Sequence, residues 1–139
     1  MEDLLKLESQ LCFPAYAFSR KLTSLYRPLL SAINLTYPQY LVMLVLWEER
    51  ECTVNQLGEK LDLDSGTLTP LLKRLEQKGF VDRKRSRADE RVVIITLTEA
   101  GNQLKQGAKE IPKKLVKCLD VSMDELLHLK GILNKILNK

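Results

Sequence analysis

Across Gly79 the apolar pattern changes period, and that change restricts the surrounding chain to a helix followed by a hairpin. Before it, Leu68, Leu71, Leu72 and Leu75 recur at i, i+3, i+4 and i+7, which predicts one apolar stripe on a helix from about Ser65 to Lys78. Asp64 or Ser65 can cap its start, and Gly79 can end it. Pro70 is expected near the last position whose N–H lacks an intrahelical partner, where it costs at most about one hydrogen bond. The opposite face carries Ser65, Thr67, Thr69, Lys73 and Arg74, hydroxyls and cations suited to a polar, anionic surface. Beyond Gly79, Phe80 and Val81 lead into DRKRSRADER and then VVIITLT, which read as two antiparallel strands joined by a charged tip.

Charge is concentrated in the same stretch. Between Lys73 and Arg91 eight Lys or Arg stand against Glu76, Asp82, Asp89 and Glu90, leaving +4, which equals the formal charge of the whole chain. The remainder therefore sums to zero. Such concentration is the electrostatic footprint of a nucleic-acid face. A solvated surface helix and loop would explain a charge run alone, but not its union with this helix and hairpin.

At 139 residues, 45% hydrophobic and 29% charged, the chain suits one globular domain with a real core. The longest apolar run, Tyr40 to Trp47, is far short of a membrane span. The opening MEDLLKLE is acidic where a secretory leader is basic, so a cytoplasmic location is expected. There Cys12, Cys52 and Cys118 are expected as thiols.

From Leu4 to Leu30 apolar residues step by three or four, predicting a long helix with a narrow seam and a bend at Pro14. Thr36-Tyr-Pro-Gln39 forms a capping box before a second helix, about Pro38 to Glu49, apolar almost all round and hence the buried centre, Trp47 included. Thr53-Val-Asn-Gln56 opens a third helix, with Val54, Leu57, Gly58 and Leu61 on one face. A short turn at Asp62 to Asp64 then gives helix-turn-helix spacing, and the hairpin supplies a wing. The expected fold is mostly α with a small β-wing, a winged helix-turn-helix over about residues 53–98 within a single domain, 1–139. Helices at about 1–34 and 99–139 remain for a homodimer, the last two predicted at Glu99 to Leu119, with Pro112 kinking or breaking it, and Met123 to Leu137.

On double-stranded DNA with a pseudo-palindromic operator, Ser65, Thr67 and Thr69 would meet base edges or phosphates, with Lys73 and Arg74 further along. Arg83, Lys84, Arg85 and Arg87 extend the basic wing. Asp89 and Arg91 would share one side of a strand, the carboxylate aiming the guanidinium at a narrow minor groove. The plainer alternative for that pair is a rim salt bridge.

The combination of SGTLTPLLKRLE (65–76), DER (89–91) and ITLTEAG (95–101) resembles the MarR family of winged-helix regulators. QLCF (10–13), SR (19–20), YRPLL (26–30) and LTYPQYLVMLVLWE (35–48) are similar to its organic hydroperoxide resistance repressor (OhrR) branch. The likeness runs closely from Leu7 to Gly101 and only in kind beyond. It implies a dimeric repressor that leaves its operator when an organic hydroperoxide, its inducer, oxidises a cysteine, releasing a peroxide-detoxifying gene. By the same resemblance the sensor is Cys12, held by Tyr26 and Tyr37 of the other subunit, and Cys118 is the candidate resolving thiol across the dimer. Otherwise Cys118 is core, and a small thiol must cap Cys12.

The residues alone bear on this. Tyr26 follows Cys12 by fourteen positions, nearly the same helix face but about 21 Å away at 1.5 Å per residue. It could reach only the Cys12 of an antiparallel partner. A phenol hydrogen-bonded to a thiolate favours the nucleophilic form, and Phe13 and Phe18 would favour alkyl over hydrogen peroxide. A lone helical cysteine is more commonly a small buried hydrophobe. Cys52 is expected only to pack, and His128, the sole histidine, makes no metal site. No cofactor is expected. Two other readings are a MarR-type regulator released by a phenolic ligand, with Cys12 incidental, and a thiol peroxidase, which leaves the basic wing without purpose.

Overall fold

The structure, a computed structural model, describes residues 3–139. Met1 and Glu2, the first letters of the acidic opening, lie outside the described residues. The chain divides after Lys109 into two compact units. In the first, a 3₁₀ turn at Leu7–Ser9 precedes α1 (Cys12–Ser31), α2 (Tyr37–Glu49), β1 (Glu51–Thr53), α3 (Val54–Leu61), α4 (Ser65–Gln77), β2 (Val81–Arg85), β3 (Val93–Leu97) and α5 (Glu99–Ala108). The second holds α6 (Ile111–Leu119) and α7 (Met123–Leu137).

The caps dictate where most helices begin. Both predicted capping boxes form: the Thr36 and Thr53 hydroxyls accept from the backbone N–H groups of Gln39 and Gln56, whose side chains accept the N-cap N–H in return. Ser122 and Glu125 form a third at α7. Asp64 caps α4 by accepting from the Thr67 N–H at 2.7 Å. Gly79, at φ +81°, turns the chain out of α4 as the sequence predicts.

The core of the first unit is α2 under the helix-turn-helix. Val42, Met43 and Leu46 are fully buried, as are Leu57 of α3 and Leu68, Leu72 and Leu75 of α4. Val81 and Ile95 close it from the sheet. Each such Leu, Ile or Val contributes about 1.5–3 kcal/mol relative to exposure. Trp47 is buried as expected and donates its indole N–H to the Gly101 carbonyl at 2.9 Å, joining α2 to the start of α5.

Several expectations are corrected. The first helix begins at Cys12, not Leu4, because Gln10 is extended and its side-chain amide donates to the carbonyls of Leu4 and Lys6. Pro14 thus lies in the first turn, where a missing N–H is harmless, and does not bend a longer helix. Pro70 lies inside α4, two residues past the first intrahelical bond, Leu68 N–H to Asp64 O, and leaves the Gly66 carbonyl without its i+4 donor. The predicted 99–119 helix does break, as Pro112 led us to expect: α5 ends at Ala108 and Pro112 occupies the first turn of α6. A strand was missed: β1 pairs antiparallel with β3, Cys52 opposite Ile95, giving a three-stranded sheet in the order β1-β3-β2. The wing strands themselves pair as expected, Val81 with Leu97 and Arg85 with Val93.

Much apolar surface is left open. Of the twenty residues of α1 only Leu30 is buried, and α7 buries none. The α7 seam residues Leu129, Leu133 and Ile136 are exposed. Among the described residues no helix is long and apolar enough to cross a membrane.

Candidate nucleic-acid interface and thiol site

The N-terminal ends of α3 and α4 open onto the same hollow. It has a volume of about 290 Å³, and its walls include Thr53, Asn55, Ser65, Thr69, Arg83 and Arg91. Two helix N-termini carry partial positive charge, and two guanidinium groups add to it, so the hollow attracts an anion such as a phosphate. The structure therefore brings together Ser65, Thr69, Arg83 and Arg91 of the predicted DNA-binding set. Thr53 and Asn55 stand in the same walls and were not among the residues the sequence singled out for DNA. Their position at the start of the first helix of a helix-turn-helix was the available signal.

Thr67, Lys73 and Arg74 project from α4 outside this hollow, all three exposed. Lys84, Arg85 and Arg87 are exposed on the wing, and Lys84 and Arg85 line a second groove with Glu76 and Arg83. Not every cation of the stretch is free. Arg83 lies 3.7 Å from the Glu76 carboxylate, and its Nε is buried without a hydrogen-bond partner. Arg85 donates to the Glu90 carbonyl at 2.9 Å, bracing the wing tip. Lys78 leaves the face altogether, donating to the Asn34 carbonyl and the Gln39 side chain.

Asp89 and Arg91 do pair, but in a turn and not on a strand. β2 ends at Arg85 and β3 starts at Val93, and the intervening turn is closed by Ser86 N–H to Val92 O and Val92 N–H to Asp89 O. The Asp89 carboxylate accepts from the Arg91 backbone N–H and Nε, each at 3.1 Å, and from a terminal guanidinium nitrogen at 3.3 Å. Those bonds, the side-chain one first, hold the Asp89 carboxyl below its usual range. The Arg91 side chain remains 91% exposed, so it is oriented yet accessible.

At the thiol site, Cys12 is the first residue of α1 and is exposed. Tyr26, on the same uninterrupted helix, lies about 21 Å further along. Its ring stands 5.0 Å from that of Tyr37, centroid to centroid. Tyr40 completes the cluster, 5.6 Å from Tyr26 and 6.3 Å from Trp47. In the sequence Tyr40 reads as one more apolar position of α2, and nothing there sets it apart. Burial first, then the neighbouring Tyr40 and Tyr37, pushes the Tyr26 phenol up to about 12, and burial raises Tyr37 and Tyr40 as well. All three therefore stay O–H donors at neutral pH. Within one chain the helix separates Cys12 from Tyr26.

Cys118 is exposed on α6 in the second unit. Cys52 is 4% exposed in β1, and its thiol is pushed up by burial and by the Glu49 carboxylate, so it stays protonated and inert. Among the described residues no group of three or more His, Cys, Asp or Glu could hold a metal ion.

Comparison with known proteins accords with this geometry. The family model described as "Transcriptional regulator SarA/Rot" matches residues 24–108. The organic hydroperoxide resistance transcriptional regulator of Bacillus subtilis is 53% identical over 135 residues, 97% of this chain and 92% of that protein. Reduced AbfR bound to DNA superposes with a TM-score of 0.79 at 43% identity, covering 95% of this chain and 92% of that one; AbfR, from Staphylococcus epidermidis, is also known overoxidized on DNA and in a disulfide form. A mutant E. coli MarR complexed with operator DNA gives a TM-score of 0.81 at 28% identity, covering 98% and 99%. These relatives are regulators and not enzymes, so the thiol peroxidase reading falls. With the helix-turn-helix, wing and basic hollow in place, this chain binds DNA as a transcriptional regulator and belongs to the MarR family, in its organic hydroperoxide resistance branch.

Proposed function

We propose that the chain is a cytoplasmic, dimeric repressor that releases a pseudo-palindromic operator when an organic hydroperoxide oxidises Cys12. The observation that carries this is the pairing of an exposed Cys12 at one end of α1 with a protonated Tyr26–Tyr37 pair at the other. Two antiparallel α1 helices would bring each thiol to the partner's phenols. The open apolar faces of α1 and α7 support such a dimer.

In the proposed reaction the Cys12 thiolate attacks the terminal oxygen of ROOH. An S–O bond forms, the O–O bond breaks, and the alkoxide leaves and takes up a proton as ROH. Sulfur is oxidised to the sulfenic acid and the peroxide is reduced. Phenol O–H groups donated to the thiolate stabilise the attacking anion. Cys118 of the other chain, or a small thiol, then displaces water from the sulfenic acid to form a disulfide. In the DNA complex Ser65, Thr67, Thr69, Lys73 and Arg74 of α4 enter the major groove, and the wing brings Arg91 to the minor groove with Arg83, Lys84, Arg85 and Arg87 along the backbone.

A second reading, release by a phenolic ligand, is favoured by one feature: a hollow of about 300 Å³ beside Tyr37, lined in part by Thr23, Arg27, Leu35 and Thr36. Wild type, Cys12→Ser and Cys118→Ser, treated with one equivalent of cumene hydroperoxide and run on a non-reducing gel, separate the readings. A linked dimer formed by wild type alone, as DNA is released, supports Cys12 as sensor and Cys118 as resolver. DNA release from Cys12→Ser on adding a phenol, with wild type unmoved by the hydroperoxide, supports the second.

A further inference from the structure

We propose that Lys78 is a positioning residue that couples the Tyr26–Tyr37 pair to the recognition helix, its ammonium fastening the end of α4 to the corner where α1 ends and α2 begins. This rests on the redox reading above and says how that site reaches the DNA face.

Lys78 is the C-cap residue of α4. Its ammonium donates to the Asn34 carbonyl at 2.9 Å and to the Gln39 side-chain oxygen at 2.8 Å. Asn34 follows α1 in the left-handed conformation, at φ 58°, so its carbonyl lies just past the negative end of that helix and suits a cation. Gln39 is 2% exposed, and the same oxygen accepts the Thr36 N–H at 3.0 Å in the capping box of α2. Tyr37 is the first residue of α2, and its ring packs on Tyr26 of α1. One ammonium thus joins both tyrosine-bearing helices to the helix that enters DNA.

The chain just past the same helix end is pinned independently. The Thr98 hydroxyl donates to the Gly79 carbonyl at 2.6 Å, and the Thr98 N–H donates to Phe80 O at 3.2 Å. Held there, α4 can be turned by a pull on its Lys78 side. When oxidation of Cys12 displaces the partner's Tyr37, Gln39 and Thr36 move with it, and Lys78 passes the displacement on. The aliphatic stem of a lysine fills space well without this bond, so fold and coupling are separable by substitution.

The test compares full-length wild type, Lys78→Met and Lys78→Arg by operator affinity before and after complete Cys12 oxidation by cumene hydroperoxide, with oxidation verified by intact mass. The coupling is the ratio of oxidised to reduced Kd. Lys78→Met should oxidise at the wild-type rate yet show a ratio smaller by about fivefold or more, the low end of ordinary coupling, and Lys78→Arg should recover part of it. A wild-type ratio in Lys78→Met overturns the proposal alone, leaving Lys78 a structural tie. A wild type that keeps its operator after oxidation overturns the redox reading and this proposal together. Lys78→Gln carries the same comparison if Lys78→Met does not fold.

Discussion

Tyr26 and Tyr37 sit ring to ring at 5.0 Å in the same chain whose Cys12 lies about 21 Å back along α1, so within one chain the phenols and the thiol occupy opposite ends of one rod. A sensor assembled from these parts needs two chains.

Mixed dimers test that requirement. A Cys12→Ser chain paired with a Tyr26→Phe, Tyr37→Phe chain leaves one thiol, which faces intact phenols only if they come from the other subunit. That dimer should be oxidised at the wild-type rate per thiol. The dimer of wild type with a triply substituted chain should react about ten- to a hundredfold more slowly, the usual loss for one or two hydrogen bonds to a charged group. The opposite order of rates would place thiol and phenols in one chain.

The phenols should also be slow to ionise. The folded Tyr26 value, about 12, lies above the ordinary 10, so its contribution to stability is complete below pH 10 and is lost as pH rises through 12. Tyrosinate absorbance should show a late step that disappears in Tyr26→Phe. By chemical denaturation the stability difference between wild type and Tyr26→Phe should stay flat to pH 10 and fall above it.

On the wing, Arg91→Ala should weaken operator binding about tenfold and lower the salt slope by about one, because an exposed, aimed cation is lost. Asp89→Ala should have a smaller effect in the same direction, since the guanidinium survives without its brace. The Asp89 carboxyl is held low by Arg91, so the brace is intact at all pH above the ordinary carboxylate value of about 4 and fails only as pH falls through the depressed value. Affinity for Asp89→Ala equal to that for wild type would reduce the pair to a rim salt bridge.

Gly101 offers a stability test at a residue that belongs to neither site. A Cβ there would run into the Phe80 carbonyl and approach Leu97 to 2.9 Å, while the Gly101 carbonyl must stay in place for Trp47. Gly101→Ala should cost about 1–3 kcal/mol, read as a lower midpoint in urea. Cys52 should resist alkylation in the native protein while Cys12 and Cys118 react, as peptide mapping after limited labelling would report.

Local chemistry was legible in the sequence, and long-range chemistry less so. Thr36, Thr53 and Asp64 announce helix starts because a cap and its N–H lie within three residues of one another. The α4 stripe is legible for the same reason. β1 escaped notice because Glu51-Cys-Thr53 has no alternation long enough to read, and its partner, Ile94 to Thr96, lies over forty residues away. Asp89 and Arg91 were paired correctly but by a strand that ends before reaching them, since a turn places i and i+2 side chains together too. The Lys78 bond to Asn34 crosses 44 positions, and no spacing rule would separate that lysine from its basic neighbours. The thiol and phenols fall between these cases: their separation is legible from helix rise, and the proposed reunion needs a second chain.

The most direct measurement is operator occupancy, followed by fluorescence anisotropy, as cumene hydroperoxide is added stepwise to the reduced protein and Cys12 oxidation is read by intact mass on the same samples. Release that tracks Cys12 oxidation point for point, and is absent in Cys12→Ser, is the predicted result. Occupancy that stays high with Cys12 fully oxidised would contradict the account.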